Sequence, residues 1–428
     1  MPRVKISLEN MALILNDYLV PTMITKSERI DRIAALCGMI WFALIIDACY
    51  TWAIPDFYRY FVGTFFVFFA TIILSNYHGL IVDNKRRKIA FFILVLCFYS
   101  VFVKFRLFSI LLFFPFLSFL FWRDTVLLKM YSYFKRFVLF YAVLSILIEL
   151  LVITKLWIHI PCVAVLPPNN FVQESLGLVN YYYVFFIIPA VNTSLNFYRA
   201  SGPLTEGGHF VFLVGFVYFV EKVVYDKRNL WLLISGFLTL SPNFVVFFAL
   251  TEGYCSIKQR RFLTPILGGC CIIIGVVILF LLSPQFVKDE IQWIILERGL
   301  EENIGNVESD GVMAILDGRV DTNGIYEYDK FSKSNFMAKL IGFDEADGSM
   351  VLSDFRWMFL YFGYLGTFLF LLCTYLLSIG REHNLFGICI FFFVLMIFIQ
   401  RAWILNQLYI WIILYLVVNA KRMLTATK

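Results

Sequence analysis

The polar stretch from residue 196 to residue 210 contains side chains suited to chemistry on an anionic substrate. Its candidate functional groups are the guanidinium of Arg199, the carboxylate of Glu206 and the imidazole of His209. Strongly apolar runs flank the stretch, and from residue 158 to residue 205 the one other charged side chain besides Arg199 is Glu174. Charged side chains beside a membrane span are costly unless partners or a ligand offset them. We therefore predict that Arg199 binds a phosphate-bearing lipid.

A second candidate arginine, Arg319, lies in a strongly acidic segment, residues 283–353, which holds 14 of the 30 acidic residues. A guanidinium presents a rigid fork of donors that matches phosphate oxygens. Two such groups on separate loops would clamp a diphosphate without a metal ion. The alternative is that Arg319 pairs with Asp317 or Asp321 on a solvated loop.

Glu206 and His209 are three residues apart and share one helix face if a helix begins at Thr205, which is a suitable N-cap. Free backbone amides at such an end favour an anionic ligand. Gly207 and Gly208 would let a sugar or phosphate approach the backbone. These residues therefore form a candidate site for acting on an acceptor hydroxyl. The alternative is a capping glutamate and an interfacial histidine with structural hydrogen bonds.

Other intramembrane or juxtamembrane charges leave two interpretations open. Asp354 is a third catalytic candidate, since it opens an apolar run with Arg356 and would face the same external cavity; the alternative is a structural ion pair. Asp47 and Glu149 lie within apolar runs, where they mark either an ion path or buried protonated carboxyls.

No metal or other cofactor is expected from the sequence. The four histidines are scattered without zinc spacing, and the nine cysteines lie mostly in apolar runs without a CxxC motif. We interpret the cysteines as small apolar packing residues.

The composition indicates a polytopic integral membrane protein. Of 428 residues, 61% are hydrophobic, 19% aromatic and 15% charged, and the mean hydropathy is +0.80. A soluble protein of this length would need more charge to cover its surface. The net charge of +6 does not indicate a nucleic-acid partner, because the basic residues form short clusters between apolar runs.

The predicted fold is all-α, with about 11–12 transmembrane helices, including a broken pair, and two extracytoplasmic loops. Placing the basic clusters in the cytoplasm makes both termini cytoplasmic. The predicted spans are residues 33–54, 58–82, 89–103, 107–122, 135–157, 207–225, 229–240, 243–254, 262–283, 354–379, 385–400 and 402–419.

The broken pair follows from a conflict in the charge pattern. Only one ordinary span fits between Arg228 and Lys258, yet both flanks are basic. Pro242 interrupts the run, and proline breaks a helix by removing a donor. We predict two half-spans with Ser241 and Asn243 at their outer junction, where they support the site. The alternative is a single kinked span.

This pattern divides the chain into five parts. They are an N-terminal bundle of five spans (1–157), a first periplasmic loop (158–206), central spans with the broken pair at 241–243 (207–283), a large acidic periplasmic loop (284–353), and C-terminal spans with a cytoplasmic tail (354–428). Within the loops, residues 297–302 and 331–340 are predicted to be short amphipathic helices.

Three stretches resemble the O-antigen polymerase (Wzy-type) and O-antigen ligase superfamily. The stretch from Arg199 to His209 is similar to its Arg-x-x-Gly-x-x-x-Glu-Pro-Gly-His signature. Residues 238–243 are similar to its Leu-Thr-x-Ser segment, and residues 340–366 are similar to the glycine-rich block that closes its large loop. Gly207 stands where the family usually has proline. Asp354 stands where the ligase branch tends to have histidine, which argues against a ligase.

The resemblance implies a GT-C-like, metal-independent, inverting glycosyltransferase of the bacterial inner membrane, with its active site facing the periplasm. It would polymerise undecaprenyl-diphosphate-linked repeat units into O-antigen or capsular polysaccharide. Both donor and acceptor would be lipid-linked glycans, and a chain-length regulator is a conceivable further partner. Arg199 and Arg319 would hold the diphosphate, and Glu206 or His209 would act on the acceptor hydroxyl.

Two alternatives remain at this point. A ligase of the same fold would transfer the glycan to a lipid A core or to a protein. A transporter or flippase for lipid-linked sugars would show repeats and polar groups at the membrane midplane. The candidate polar groups here gather at the outer edge, which favours an enzyme.

Overall fold

The structure is a computed structural model of the chain. It describes residues 25–46, 48–51, 53–104, 106, 109–166, 179–190, 200–204, 207–239, 241–259, 322–343, 354–379, 385–402, 405 and 408–426. Among the predicted site residues, Arg199, Thr205, Glu206 and Arg319 lie outside the described residues, as does the predicted span 262–283.

The described chain is mostly helical. Its α-helices are α1 (Lys26–Ile45), α2 (Asp56–His78), α3 (Asn84–Phe98), α4 (Ser109–Phe121), α5 (Asp124–Ile153), α6 (Gly207–Tyr225), α7 (Leu230–Leu238), α8 (Pro242–Gln259), α9 (Thr322–Lys333), α10 (Phe336–Ile341), α11 (Phe355–Ser378), α12 (Leu385–Arg401) and α13 (Tyr409–Ala426). A π-helical turn, Tyr99–Val103, continues α3, and a 3-10 turn, Leu156–His159, follows α5.

Four of these helices, within the part of the chain that the structure describes, are long and apolar enough to cross a bilayer. They are α2, α5, α6 (from Gly208) and α11, of 23, 30, 18 and 24 residues. A span needs about 20 predominantly apolar residues. The protein is therefore a mostly helical, multi-pass membrane protein, as the composition predicts.

The start of α5 differs from the predicted span. The helix begins at Asp124, eleven residues before the predicted position, and it includes Lys129 and Lys135. Lys129 Nζ lies 3.3 Å from the backbone oxygen of Glu28, and Lys135 Nζ forms an ion pair of 3.0 Å with Glu221. Because neighbouring helices provide partners for these charges, the charges do not end the helix.

A small three-stranded antiparallel sheet accompanies the predicted helices, in the segment predicted as the first periplasmic loop. Its strands are β1 (Ala164–Leu166), β2 (Val179–Tyr182) and β3 (Ile187–Ala190), in the order β1-β2-β3. Tyr181 pairs with Val165 on one side and with Ile188 on the other. Aromatic and β-branched residues favour strands. The ten residues 181–190 are too few to span a bilayer as a helix.

The helix predicted over residues 331–340 is also corrected. It is two helices, because α9 ends at Lys333 and α10 begins at Phe336. Asn335 caps α10 by accepting a hydrogen bond of 2.9 Å from the backbone amide of Ala338. An asparagine at this position favours a new helix start over continuation. The other predicted loop helix, residues 297–302, lies outside the described residues.

One end of the bundle carries the basic clusters, and we call it the basic end. Ser27 at the start of α1 lies 3.3 Å from His78 at the end of α2. Arg86 at the start of α3 forms an ion pair of 2.6 Å with Asp124 at the start of α5. The ends of α1, α3 and α5 and the start of α4 therefore lie at the opposite end.

Candidate functional site

The turn formed by residues 200–204 lies at the end opposite the basic end. The amide of Ala200 donates to the carbonyl of Leu238 at 2.9 Å, which ties the turn to the end of α7. The amide of Cys49, beyond the end of α1, donates to the carbonyl of Pro203 at 2.6 Å. The turn is buried, with Ser201 only 3% exposed. Residue 200 is thus fixed beside the helix break that the sequence predicts.

Gly202 sets the shape of this turn. Its φ of +58° is in the left-handed region that favours glycine, and a Cβ there would lie 2.5 Å from the ring of Phe210 on α6. The glycine therefore lets the turn pack directly on the first turn of α6. Residues 200–204 and the first turn of α6 therefore pack as one buried unit.

The helix break between α7 and α8 is present around Ser241. Thr239 Oγ1 accepts from the amide of Ser241 at 3.3 Å, and the carbonyl of Ser241 accepts from the amide of Phe244 at 3.0 Å. Ser241 and Asn243 are 7% and 2% exposed. Among the residues that the structure describes, the Asn243 side-chain oxygen is buried without a hydrogen-bond partner. A buried amide oxygen without a partner costs free energy.

The two helices at the break form a hairpin. Gly236 on α7 faces the ring of Phe244 on α8, so the helices pack closely. Arg228, before α7, forms an ion pair of 3.0 Å with Glu252, in the second half of α8. The residues before α7 and the second half of α8 therefore lie at the same depth in the bundle. Their location on the cytoplasmic side stays a prediction.

Helix α6 begins at Gly207, and this start agrees with the predicted span. His209 lies in its first turn and is 6% exposed. Gly208 is also buried. Glu221, near the end of α6, forms an ion pair with Lys135 of α5. The first turn of α6 therefore faces away from the basic end. His209 is thereby placed at the same end as the 200–204 turn.

The glycine-rich block of the sequence forms a second feature at this end. Gly342, after α10, packs backbone to backbone against Gly363, where α11 is kinked. A Cβ on Gly342 would lie 2.5 Å from the Gly363 nitrogen, and a Cβ on Gly363 would clash with the Gly342 nitrogen. We call this contact the glycine clasp. It fixes the acidic segment on the bundle at residue 342.

The kink at Gly363 frees backbone carbonyls, and neighbouring groups satisfy them. The amide of Phe343 donates to the carbonyl of Leu360 at 2.7 Å. The Tyr99 hydroxyl lies 2.5 Å from the carbonyl of Phe362 and 2.8 Å from that of Ile341. A broken helix at membrane depth requires such partners. The clasp is therefore a built part of the fold.

Asp354 acts as both an N-cap and an ion-pair partner. Its carboxylate accepts from the amide of Arg356 at 2.9 Å, and Arg356 Nη2 reaches it at 2.6 Å. Both side chains are almost fully buried, at 1% and 3% exposure. The structure therefore shows the ion pair that the sequence left open as an alternative, and the catalytic role of Asp354 stays a prediction.

Tyr328 of α9 connects the acidic segment to this ion pair. The Arg356 guanidinium lies 5.9 Å from its ring centroid. Burial, followed by the nearby Tyr364, raises the pKa of Tyr328, while Arg356 lowers it. Helix α9, which begins three residues after Arg319 in the sequence, therefore packs at the end opposite the basic end.

Two cations at this end were missed by the sequence analysis. Lys104, 7% exposed, donates to the carbonyl of Phe343 at 2.8 Å. The Arg106 guanidinium lies 5.2 Å from the ring centroid of Phe362. The sequence did contain a signal for these two residues. Both follow the predicted outer end of the span 89–103, whereas lysine and arginine are concentrated in cytoplasmic loops.

The remaining intramembrane candidates are resolved in part. Glu149 lies in α5 and is 5% exposed, whereas Asp47 lies outside the described residues. Within the residues that the structure describes, no group of three His, Cys, Asp or Glu side chains has metal-binding geometry.

Compared with protein-family models, with curated proteins and with solved structures, the chain matches none of them.

Proposed function

We propose that the protein is a membrane glycosyltransferase that polymerises undecaprenyl-diphosphate-linked repeat units into O-antigen or capsular polysaccharide. The proposal places the reaction on the outer face of the bacterial inner membrane, in a GT-C-like fold. The growing glycan on one lipid carrier is transferred to the non-reducing end of a new lipid-linked repeat. The bond from the donor anomeric carbon to the diphosphate breaks as the bond to the acceptor oxygen forms.

One observation carries the proposal more than any other. The backbone next to Arg199 and the helix that follows Arg319 both lie at the end of the bundle opposite the basic clusters, as shown by Ala200 bonding to Leu238 and by Tyr328 packing on Arg356. The proposal places both arginines at this end, where two guanidinium groups would suit a diphosphate headgroup.

The chemistry assigned to these residues follows from the leaving group. A diphosphate leaves readily, so the main requirement is to stabilise its developing negative charge, and fixed guanidinium donors do this. Glu206 or His209 accepts the proton of the acceptor hydroxyl as general base. Ser241 and Asn243 lie at the helix break that Ala200 contacts through Leu238. The Asn243 oxygen, which has no donor among the described residues, would accept a hydrogen bond from a sugar hydroxyl.

The proposal is tested by the glycan length in cells that produce only variant protein. We expect Arg199→Ala and Arg319→Ala each to reduce polymerisation by roughly 10²–10³-fold, which leaves glycans of a single repeat. Lys155→Ala is the matched control, because Lys155 is an exposed cation at the same end. Normal length ladders in both arginine variants would overturn the proposal.

A second measurement separates the mechanism from a metal-dependent one. We expect purified protein to turn over its lipid-linked substrate after chelation with EDTA. Activity that is lost on chelation and restored by a divalent ion would contradict the metal-independent mechanism.

A further inference from the structure

Two large apolar side chains are exposed on α10, within the acidic segment. Phe336 is 72% exposed, and its neighbour Met337 is 57% exposed. They form a small apolar surface on a helix that the glycine clasp holds against α11. An exposed apolar surface is typical of contact with a partner or with a membrane. The depth of α10 in the bundle decides between these two.

The glycine clasp places the end of α10 beside the membrane-spanning part of α11. Gly363 is eight residues after Phe355, the first residue of α11, which is about 12 Å along the helix. The 24 residues of α11 extend over about 36 Å, whereas the hydrocarbon core of a bilayer is about 30 Å thick. An α11 that crosses the bilayer therefore projects only about 3 Å beyond the core at each end. Gly342, which contacts Gly363, then lies at the depth of the apolar core.

The part of α11 that follows the clasp exposes an apolar side. Tyr364, Leu365 and Phe368 are exposed there, and exposed apolar side chains on a bilayer-spanning helix contact lipid. The ring centroid of Tyr364 lies 5.8 Å from that of Phe331 on α9. Helices α9 and α10 therefore adjoin the lipid-facing side of α11, and the exposed pair on α10 continues its apolar surface.

Helix α9 provides a water-facing side for the same unit. Tyr326, Lys330 and Lys333 are spaced by four and three residues, so they share one helix face, and all three are exposed. Both lysines form ion pairs with acidic residues of the same helix. Phe331, in contrast, is fully buried. A helix with a charged face and an apolar face is typical of segments that lie at the membrane–water interface.

We propose that α9 and α10 form an interfacial anchor, in which Phe336 and Met337 insert among the acyl chains of the leaflet at the end opposite the basic end. The partner is the bilayer itself, which covers the exposed pair as it covers the adjoining side of α11. The inference does not rest on the polymerase activity. The anchor holds the acidic segment at the membrane surface, at the depth where the headgroup of any lipid-linked substrate lies.

The test is photo-cross-linking of the full-length protein in vesicles of phosphatidylethanolamine and phosphatidylglycerol. The photoreactive residue p-benzoylphenylalanine replaces Phe336, and mass spectrometry measures the fraction of protein that carries a phospholipid after irradiation. Phe368 is the matched lipid-facing position, and Tyr326 is the matched water-facing position. We expect lipid adducts at Phe336 to be about as frequent as at Phe368 and several-fold more frequent than at Tyr326.

Two outcomes of the cross-linking would overturn the inference. Adducts at Phe336 that are no more frequent than at Tyr326 would show that the exposed pair faces water. A lack of adducts at Phe368 would show that the adjoining side of α11 does not face lipid, which removes the ground for placing α10 in the bilayer.

Hydrogen exchange in the same vesicles gives a second readout. We expect Phe336→Glu to speed the exchange of the α10 amides by roughly tenfold, because a charged side chain does not stay among acyl chains. Phe336→Leu keeps the apolar contact and leaves exchange unchanged, and Tyr326→Glu is the charge-matched control on the water-facing side. Equal exchange in Phe336→Glu and Tyr326→Glu would contradict the anchor. Neither readout requires turnover, so the anchor and the proposed glycosyltransferase activity can fail separately.

Discussion

Gly342 and Gly363 pack so closely that neither position has room for a side chain. Their φ values are +82° and +62°, and a Cβ on either residue would meet the backbone nitrogen of the other. The contact joins the end of the acidic segment to the kink of α11 and holds Phe343, whose carbonyl binds Lys104. The positions of Phe343 and of the α11 kink therefore depend on the absence of side chains at Gly342 and Gly363.

We expect Gly363→Ala to destabilise the protein by more than the conformational strain alone. A non-glycine residue in this backbone region costs about 1–3 kcal/mol, and the clash adds to it. Thermal unfolding in detergent measures the total. Gly79→Ala is the matched control, because Gly79 has φ +71° and ψ 160° with nothing within 4 Å of its added Cβ. Equal losses in both variants would show that the close contact has no energetic effect.

We expect Asp354→Asn and Arg356→Gln to destabilise the protein strongly, each by about 3–5 kcal/mol, because each removes one partner of a buried ion pair. The double variant should recover part of that loss, since it removes both charges while asparagine retains the cap. Unfolding of the four proteins in parallel measures the coupling. An Asp354→Asn variant that is inactive but fully stable would instead assign Asp354 to catalysis.

We expect reporter fusions after Arg228 and after Lys258 to report the same side of the membrane. The reason is the ion pair between Arg228 and Glu252, which brings both flanks of the α7–α8 hairpin to one level. A fusion after Lys155 provides the control for the other side. Opposite signals at Arg228 and Lys258 would favour a single kinked span and contradict the hairpin in the membrane.

We expect the packing of the sheet on α5 to be insensitive to pH up to about pH 10. Burial raises the pKa of Tyr183 to about 12, and its hydroxyl donates to the carbonyl of Trp157 at 3.2 Å. The folded state holds this proton more tightly than the unfolded state, so its contribution is complete below pH 10 and is lost as pH rises towards 12.

The comparison of wild type with Tyr183→Phe measures this alkaline effect. Unfolding of both proteins in detergent between pH 8 and pH 12 should show a loss of stability near the top of the range that is smaller in the variant. Identical curves would contradict a role for this proton.

The membrane class and most helix positions could be predicted from the sequence because long, nearly uncharged apolar runs are typical of membrane spans. The bounds of α5 could not, since the charges of Lys129 and Lys135 are satisfied by partners on other helices. The sheet was missed because short runs such as Tyr181–Tyr183 fit either a strand or an interfacial segment.

The candidate site was predictable to a different extent. The spacing of residues 199–209 and the proline at 242 located a polar turn and a helix break, and the structure joins them through Ala200 and Leu238. Lys104 and Arg106 have no motif, and their contacts with Phe343 and Phe362 join elements distant in sequence. Such contacts become visible only when the packing of α3 against α11 is known.

The central claim is that Arg199 and Arg319 meet at one diphosphate. The most direct measurement is cross-linking of the double substitution Arg199→Cys and Arg319→Cys by a short bifunctional maleimide in membranes. We predict an intramolecular cross-link between the two introduced cysteines. Single substitutions that each react with an impermeant maleimide from the outer face, combined with no cross-link in the double variant, would contradict the claim, as would labelling of the two positions from opposite sides of the membrane.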